Sequence, residues 1–366
     1  MVKKIVYNLL KIMWFFKVKH KKIFLTSFDG TAYGFDSKAV VDFINENYPN
    51  EYLLIWGTKE NELAGYDGSS GMRLVKIKSI QGVYHMMTAG VLIYNINPPS
   101  YIPFRKSQTL INTWHGFAYK KVGKYALNFN SRHFNTSTCF LSHSKSYTTK
   151  VIRDSFEFTG EVLDIGVPRN DILFRNDKKQ IQSIRKILSI GNKNIVLFAP
   201  TFRGDFSYEK AGVNFSVLKE SLRNRYGGEW VVLCRLHPMI AHKYKMDSNG
   251  AIDVSAYPDM QELLLISDVL VTDYSSSMWD FALTRKKVFL YADDIDKYIA
   301  DRGFYQSPET WPFPIAKTND ELARLITNYQ EEVYQERLKK YFDMTGNYEN
   351  GTSCQKLLEY IRAREE

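Results

Sequence analysis

At 366 residues the chain is long for one domain and comfortable for two. It is 44% hydrophobic and 24% charged, with 24 Tyr and 23 Phe, so it can bury sizeable cores and is not a disordered chain. The net charge is +9, yet the first 22 residues hold seven lysines (Lys3, Lys4, Lys11, Lys17, Lys19, Lys21 and Lys22) and no acid. The remaining body is near neutral, so no nucleic-acid partner is expected. Three widely spaced cysteines, Cys139, Cys234 and Cys354, fit neither a metal nor a disulfide spacing. They read as packing residues of a chain in a reducing compartment.

Residues 1–22 are expected to form an amphipathic segment. At a helical period Ile5, Val6, Leu9, Leu10, Ile12, Met13 and Phe16 share one side, while Lys4, Asn8 and Lys11 fall opposite. Such a helix suits an anionic membrane surface, although a helix packed on the domain with a solvated lysine face would show the same pattern. The longest apolar run, residues 12–16, is too short to cross a bilayer, and no small-residue cleavage site follows it. The expected location is peripheral, on the cytoplasmic face of the cell membrane.

From residue 23 onward short apolar runs alternate with helical patterns. Strands are expected at 23–27, 52–56, 91–95, 109–113, 138–142 and 162–165, with helices at 37–47 and 79–88. A turn-rich stretch, Gly166-Val167-Pro168-Arg169-Asn170-Asp171, interrupts the rhythm, and a polar helix follows at 177–189. The alternation then restarts with strands at 195–199, 230–234, 269–272 and 288–291 and helices at 259–266 and 276–283. The fold class is therefore α/β, with two doubly wound, Rossmann-like domains at 23–172 and 173–366. Ligands of such sheets gather at the carboxyl ends of the strands.

Four strand ends carry polar residues that packing alone does not require. His115 and Gly116 follow the strand at 109–113, where a histidine is placed for proton transfer. Thr201, Arg203 and Gly204 follow Ala199-Pro200 as a phosphate loop or, equally, a tight turn with a surface arginine. Arg235 and His237 follow the strand at 230–234. Ser275, Ser276 and Ser277 stand at a helix start after Thr272-Asp273-Tyr274, where hydroxyls and free N–H groups can hold phosphate or simply cap the helix. Asp280, one turn further, is placed to bond a polyol hydroxyl or to serve as a first-turn acid. Glycine-rich nucleotide loops, a nucleophile elbow and metal-ligand clusters are all missing from the sequence, so no metal and no cofactor are expected.

These segments, in this order, resemble the CDP-glycerol glycerophosphotransferase family of teichoic-acid primases and polymerases. The most specific stretch is Ser267-Asp268-Val269-Leu270-Val271-Thr272-Asp273-Tyr274-Ser275-Ser276-Ser277-Met278-Trp279-Asp280-Phe281-Ala282. Thr113-Trp114-His115-Gly116, Ala199-Pro200-Thr201-Phe202-Arg203, Arg235-Leu236-His237-Pro238, the turn at 166–171 and Arg302-Gly303-Phe304-Tyr305 complete the set. The resemblance implies a glycosyltransferase-B architecture, with acceptor on the N-terminal domain and CDP-glycerol on the C-terminal one. It implies His115 as general base and His237 on the donor diphosphate. Ser275 and Ser276 would bind phosphate, Asp280 the donor glycerol, and Lys356 would replace a diphosphate-binding arginine. Where the family continues its Trp-His-Gly motif with Thr-Pro-Leu-Lys, this chain reads Phe117-Ala118-Tyr119-Lys120, a departure expected to bear on the acceptor.

The implied reaction carries glycerol phosphate from CDP-glycerol to a lipid-linked, undecaprenyl-type glycan acceptor for teichoic acid or capsule, releasing CMP. The competing readings are a CDP-ribitol or nucleotide-sugar transferase of the same fold, and a non-catalytic polymer-binding scaffold at the membrane.

Overall fold

Ile23-Phe24-Leu25 and Val91-Leu92-Ile93 are continuous apolar runs, as strands covered on both faces require. In the computed structural model they lie in β1 (Lys19–Thr26) and β4 (Ala89–Tyr94), adjacent parallel strands at the middle of a seven-stranded sheet. The structure describes residues 2–60, 63, 65–66, 68–117, 119–125, 131–175, 177–201, 212–236 and 250–365.

The other strands of this sheet are β2 (Leu53–Thr58), β3 (Arg73–Lys76), β5 (Thr109–Asn112), β6 (Cys139–Leu141) and β7 (Glu161–Leu163). All pairings are parallel, in the order β3-β2-β1-β4-β5-β6-β7. Side chains alternate between two cores, as the two-residue period demands. Ile23, Leu25, Trp56, Ile93 and Ile111 meet α2 (Phe35–Asn47) and the C-terminal helix Ser353–Arg362 on one face. Phe24, Ile55, Leu92 and Leu110 meet Met86 and Met87 of α3 (Ile80–Thr88) on the other. Ser79 caps α3, its hydroxyl accepting from the Gly82 N–H at 3.0 Å.

A second, six-stranded parallel sheet holds β8 (Asn194–Ala199), β9 (Trp230–Cys234), β10 (Ala251–Asp253), β11 (Val269–Thr272), β12 (Lys287–Tyr291) and β13 (Ile315–Ala316). Its order is β10-β9-β8-β11-β12-β13. In each sheet the strand order reverses beside the first strand, between β1 and β4 and between β8 and β11. Those reversals are the crevices in which doubly wound folds take ligands.

The chain divides into two units, with one break at Asp171/Ile172, beside the boundary expected at 172/173, and further crossings that the sequence did not mark. The first comprises Met1–His115, Val122–Asp171 and Thr345–Glu366; the second comprises Gly116–Lys121 and Ile172–Met344. By its contacts the tail, Thr345–Glu366, groups with the first unit. The reason lies in the turn at 166–171, whose polar residues are buried clasps. Asp171 accepts from the Ser353 and Cys354 N–H groups at 3.0 and 2.7 Å, and Asn170 donates to Glu349 at 3.1 Å. Gly166, at φ +84°, leaves no room for a Cβ against Ser353 and Glu349.

The N-terminal segment also differs from a single element over 1–22. Helix α1 (Val2–Leu10) passes into a 3-10 stretch, Lys11–Phe15, and β1 has begun by Lys19. Only part of the apolar face turns inward: Leu10 and Met13 pack on the α3 side of the sheet. Leu9, Ile12 and Phe15 are 67, 80 and 89% exposed. Lys22 leaves the surface altogether, because its place in a central strand buries it. Its ammonium lies 4.9 Å from the centre of the Tyr84 ring and donates to the Thr88 hydroxyl, and burial, with Lys19 nearby, lowers it to about 8. All three cysteines are buried and unbridged.

Candidate active site

In the first unit the carboxyl ends of β1, β4 and β5 bring Phe28, Asn95 and His115 together. His115 Nδ1 lies 2.9 Å from the Asn95 carbonyl oxygen, and its ring lies 5.5 Å from that of Phe28. A carbonyl only accepts, so Nδ1 carries the proton and Nε2 keeps its lone pair. Burial lowers the imidazole below its ordinary range; the Asn95 carbonyl raises it, and the Arg169 charge lowers it again. The ring is accordingly neutral at pH 7 and able to take a proton.

The backbone here is strained. Trp114 adopts φ +56°, and Phe28, Asp29 and Phe35 lie at +48°, +53° and +60°. Non-glycine residues hold this region only when packing and hydrogen bonds over-determine it. Asn112 accepts from the Trp114 N–H at 2.9 Å, and the Trp114 ring packs on Phe156 at 4.7 Å. Beneath this corner lies a buried ion pair that sequence reasoning missed. Asp36, at the start of α2, accepts from the Arg169 guanidinium and from its backbone N–H, each at 3.0 Å. The Thr113 hydroxyl donates to the Trp114 carbonyl at 3.1 Å, tying the same corner. The Arg169 of the turn was visible as a motif residue, but its partner 133 positions earlier was not.

In the second unit the β8/β11 crevice is closed by a residue outside the expected set. Asp273, after β11, accepts from the Thr201 N–H and from its hydroxyl, both at 2.9 Å, and from the Tyr274 N–H at 2.6 Å. Thr201 is thus fixed as a loop tie. The only sequence signal for Asp273 was its place as an acid flanking the serine run. Asp273→Ala should destabilise the second unit by about 2–3 kcal/mol, since a buried carboxylate accepting several bonds is lost. Thermal denaturation checks this, and Asp273→Asn should recover part of the loss by keeping one acceptor.

The three serines are not equivalent. The Ser277 hydroxyl is buried and donates to Ser275 Oγ at 2.8 Å, so it serves the turn instead of facing outward. Ser275 accepts that bond through its hydroxyl oxygen. Ser276 makes no side-chain hydrogen bond among the described residues, and a Cβ on Gly116 would come within 3.1 Å of its oxygen. Asp280 lies one turn into the helix Ser277–Ala282, buried, with a carboxylate oxygen accepting from Gln261 at 3.0 Å. Arg235 donates to the Tyr257 carbonyl at 2.5 Å, with Asp259 close by, which makes it a tie to the loop after β10. Lys356 belongs to the helix Ser353–Arg362, which packs in the first unit. Arg203 and His237 lie outside the described residues.

Within the departure at 117–120, Phe117 and Tyr119 are taken up by packing. Phe117 and Tyr119 are buried in the core of the second unit. Phe117 stacks on Trp279 at 5.7 Å, Tyr119 stacks on Phe304 at 5.6 Å, and the Tyr119 hydroxyl donates to the Tyr274 carbonyl. These side chains brace the serine turn.

A neutral histidine at the reversal of one doubly wound sheet and a hydroxyl-bearing turn at the reversal of another belong to the glycosyltransferase-B class of two-unit α/β proteins. Within that class the chain belongs to the CDP-glycerol:poly(glycerophosphate) glycerophosphotransferase family, which matches residues 8–363. It is 34% identical over 365 residues to a teichoic acid poly(glycerol phosphate) polymerase of Staphylococcus epidermidis, covering 92% of this chain and 50% of that protein. The chain thus spans half the length of that relative. It is 29% identical to a teichoic acid glycerol-phosphate transferase of Staphylococcus aureus, covering 93% of this chain and 92% of the relative. Among solved structures, a variant of the wall teichoic acid polymerase TagF soaked with CDPG superposes with TM-score 0.84 at 30% identity, over 99% of this chain and 94% of that one.

Proposed function

We propose that this chain transfers glycerol phosphate from CDP-glycerol to the terminal hydroxyl of a lipid-linked acceptor in teichoic acid synthesis, releasing CMP. The observation that carries the reading is the His115–Asn95 bond, which fixes the tautomer with Nε2 as acceptor. The acceptor hydroxyl gives its proton to Nε2 while its oxygen attacks the glycerol-bearing phosphorus. The bond from that phosphorus to the CMP oxygen breaks, and the electron pair leaves with CMP. Such a step needs alignment and neutralisation of charge on the phosphoryl oxygens. Ser275, Ser276 and the turn's N–H groups supply hydroxyl and amide donors, and Arg203 and His237 add cationic or hydrogen-bonding capacity. CMP release should occur with CDP-glycerol and not with CDP-ribitol or UDP-sugars. Release with CDP-ribitol alone would overturn the donor assignment.

The same reading places the protein at the cytoplasmic face of the membrane. Its support is the exposure of Leu9, Ile12 and Phe15 beside Lys11 and Lys17, since apolar side chains this open at a basic surface suit an anionic bilayer. A truncation that tests it must stop at residue 17, because removing 1–21 would cut into β1. Deleting 1–17 removes Lys3, Lys4, Lys11 and Lys17, each worth about 1 kcal/mol near an anionic surface, together with the apolar face. Co-sedimentation with anionic liposomes should be lost while transfer to a short soluble acceptor survives. Full sedimentation of the truncated protein would sink the anchor.

A further inference from the structure

Beside the N-terminal helix, at the amino ends of β5 and β6, the first unit holds a cavity of about 540 Å³. That volume lies within the range of small-molecule sites. Among the described residues its wall carries Arg105, Lys106 and His133 and no acidic residue, with Ser100, Thr136 and Thr138 as hydroxyl groups. Tyr7 of α1 closes one side, and Lys11 lies over the Tyr7 and Trp14 rings at 5.3 and 5.9 Å. Several cationic or hydrogen-bonding groups thus converge on one concavity at the edge of an exposed apolar surface.

Arg105 joins that concavity to the helix. One of its terminal nitrogens donates to the Met13 carbonyl at 3.0 Å and to the Phe16 carbonyl at 2.7 Å, capping the 3-10 stretch. Its other terminal nitrogen makes no hydrogen bond among the described residues, and Lys106 is exposed without an acidic partner there. The Trp14 indole N–H donates to the Pro103 carbonyl at 2.9 Å, so the segment is seated on the loop that forms the cavity wall. Acyl chains following Leu9, Ile12 and Phe15 would bring a glycerol-linked phosphate to this rim.

We propose that this cavity is a headgroup site for an anionic glycerophospholipid, the phosphate meeting Arg105 and Lys106 and the headgroup hydroxyls meeting Ser100 and the threonines. The site rests on the membrane reading above and adds to it a saturable, one-to-one lipid contact distinct from general attraction to a charged surface.

The probe is dihexanoyl-phosphatidylglycerol below its micelle concentration, titrated into the full chain by calorimetry. Saturable binding with one site is expected, weakened about thirtyfold in Lys106→Glu/His133→Ala, the loss that follows from turning an attraction of about 1 kcal/mol into a repulsion of the same size. Leu9→Ser/Ile12→Ser should leave this titration within about twofold of the parent. The same variant should lose sedimentation with phosphatidylglycerol vesicles, so the membrane face and the cavity are read by separate measurements. Inorganic phosphate competing as strongly as the lipid would mark a free-anion site and overturn the proposal. Failure of the soluble lipid to saturate the parent protein, with vesicle binding intact, would overturn it as well.

Discussion

His115→Ala is expected to lower glycerophosphate transfer by ~10²–10⁴-fold while CDP-glycerol binding stays near that of the parent. On the proposed reading the base acts on the acceptor hydroxyl, so its removal would take away a proton acceptor and no donor contact. The environment also fixes the direction of the pH dependence. Burial holds the imidazole below its ordinary range, so Nε2 stays unprotonated through neutral pH. Activity should therefore persist as pH falls through 6.5, the ordinary histidine value, and decline only at lower pH. Arg169→Met removes a nearby positive charge and should move that acidic limb upward. Steady-state transfer measured from pH 5 to 8 checks both. Near-normal turnover in His115→Ala would remove the base from this position.

Asp36→Ala should cost about 3–5 kcal/mol of stability, because it leaves the Arg169 guanidinium buried without its carboxylate. At roughly 2–4 °C per kcal/mol for a domain of this size, the melting temperature should fall by about 6–20 °C. The pair is almost wholly shielded from water, with side-chain exposures of 3% and 0%, so screening by salt should rescue little. Replacing both partners, as Asp36→Leu/Arg169→Met, should recover much of the loss, since no uncompensated charge remains. If Asp36→Ala melts like the parent, the pair is not what holds α2 to the turn at 166–171.

The central strands were legible because a parallel strand covered on both faces is written as an unbroken apolar run. Residues 23–25, 91–93, 195–199 and 269–271 all carry that signature. The strands that escaped notice, β3, β10 and β13, have four, three and two residues, and each lies at or beside a sheet edge. Strands this short show little period to read, and β7, equally short and at an edge, was legible only through its adjacent Val162 and Leu163. The site was legible as far as it is local: His115 and the serine run stand at strand ends visible in one dimension. Asp36, Asn95 and Asp273 were not, since each acts on a partner 20 to 133 positions away. Lys22 illustrates the converse error, a lysine read with its neighbours as surface charge that a central strand carries inside.

Strand β1 has one more consequence. Its eight residues run from just beyond Phe16, at the edge of the exposed apolar segment, to just before Phe28, whose ring touches His115. At about 3.3 Å per residue it is a spacer of up to roughly 25 Å. On the membrane reading proposed above, and with β1 along the bilayer normal, His115 would stand up to that far above the lipid surface. On that reading the hydroxyls of the surrounding phospholipid headgroups would lie below its reach, and an acceptor would need a terminus raised from the membrane on a glycan or polymer stalk to arrive at the height of His115. Selection against the abundant glycerol-bearing lipids would thus be set by altitude before any contact with the acceptor is made.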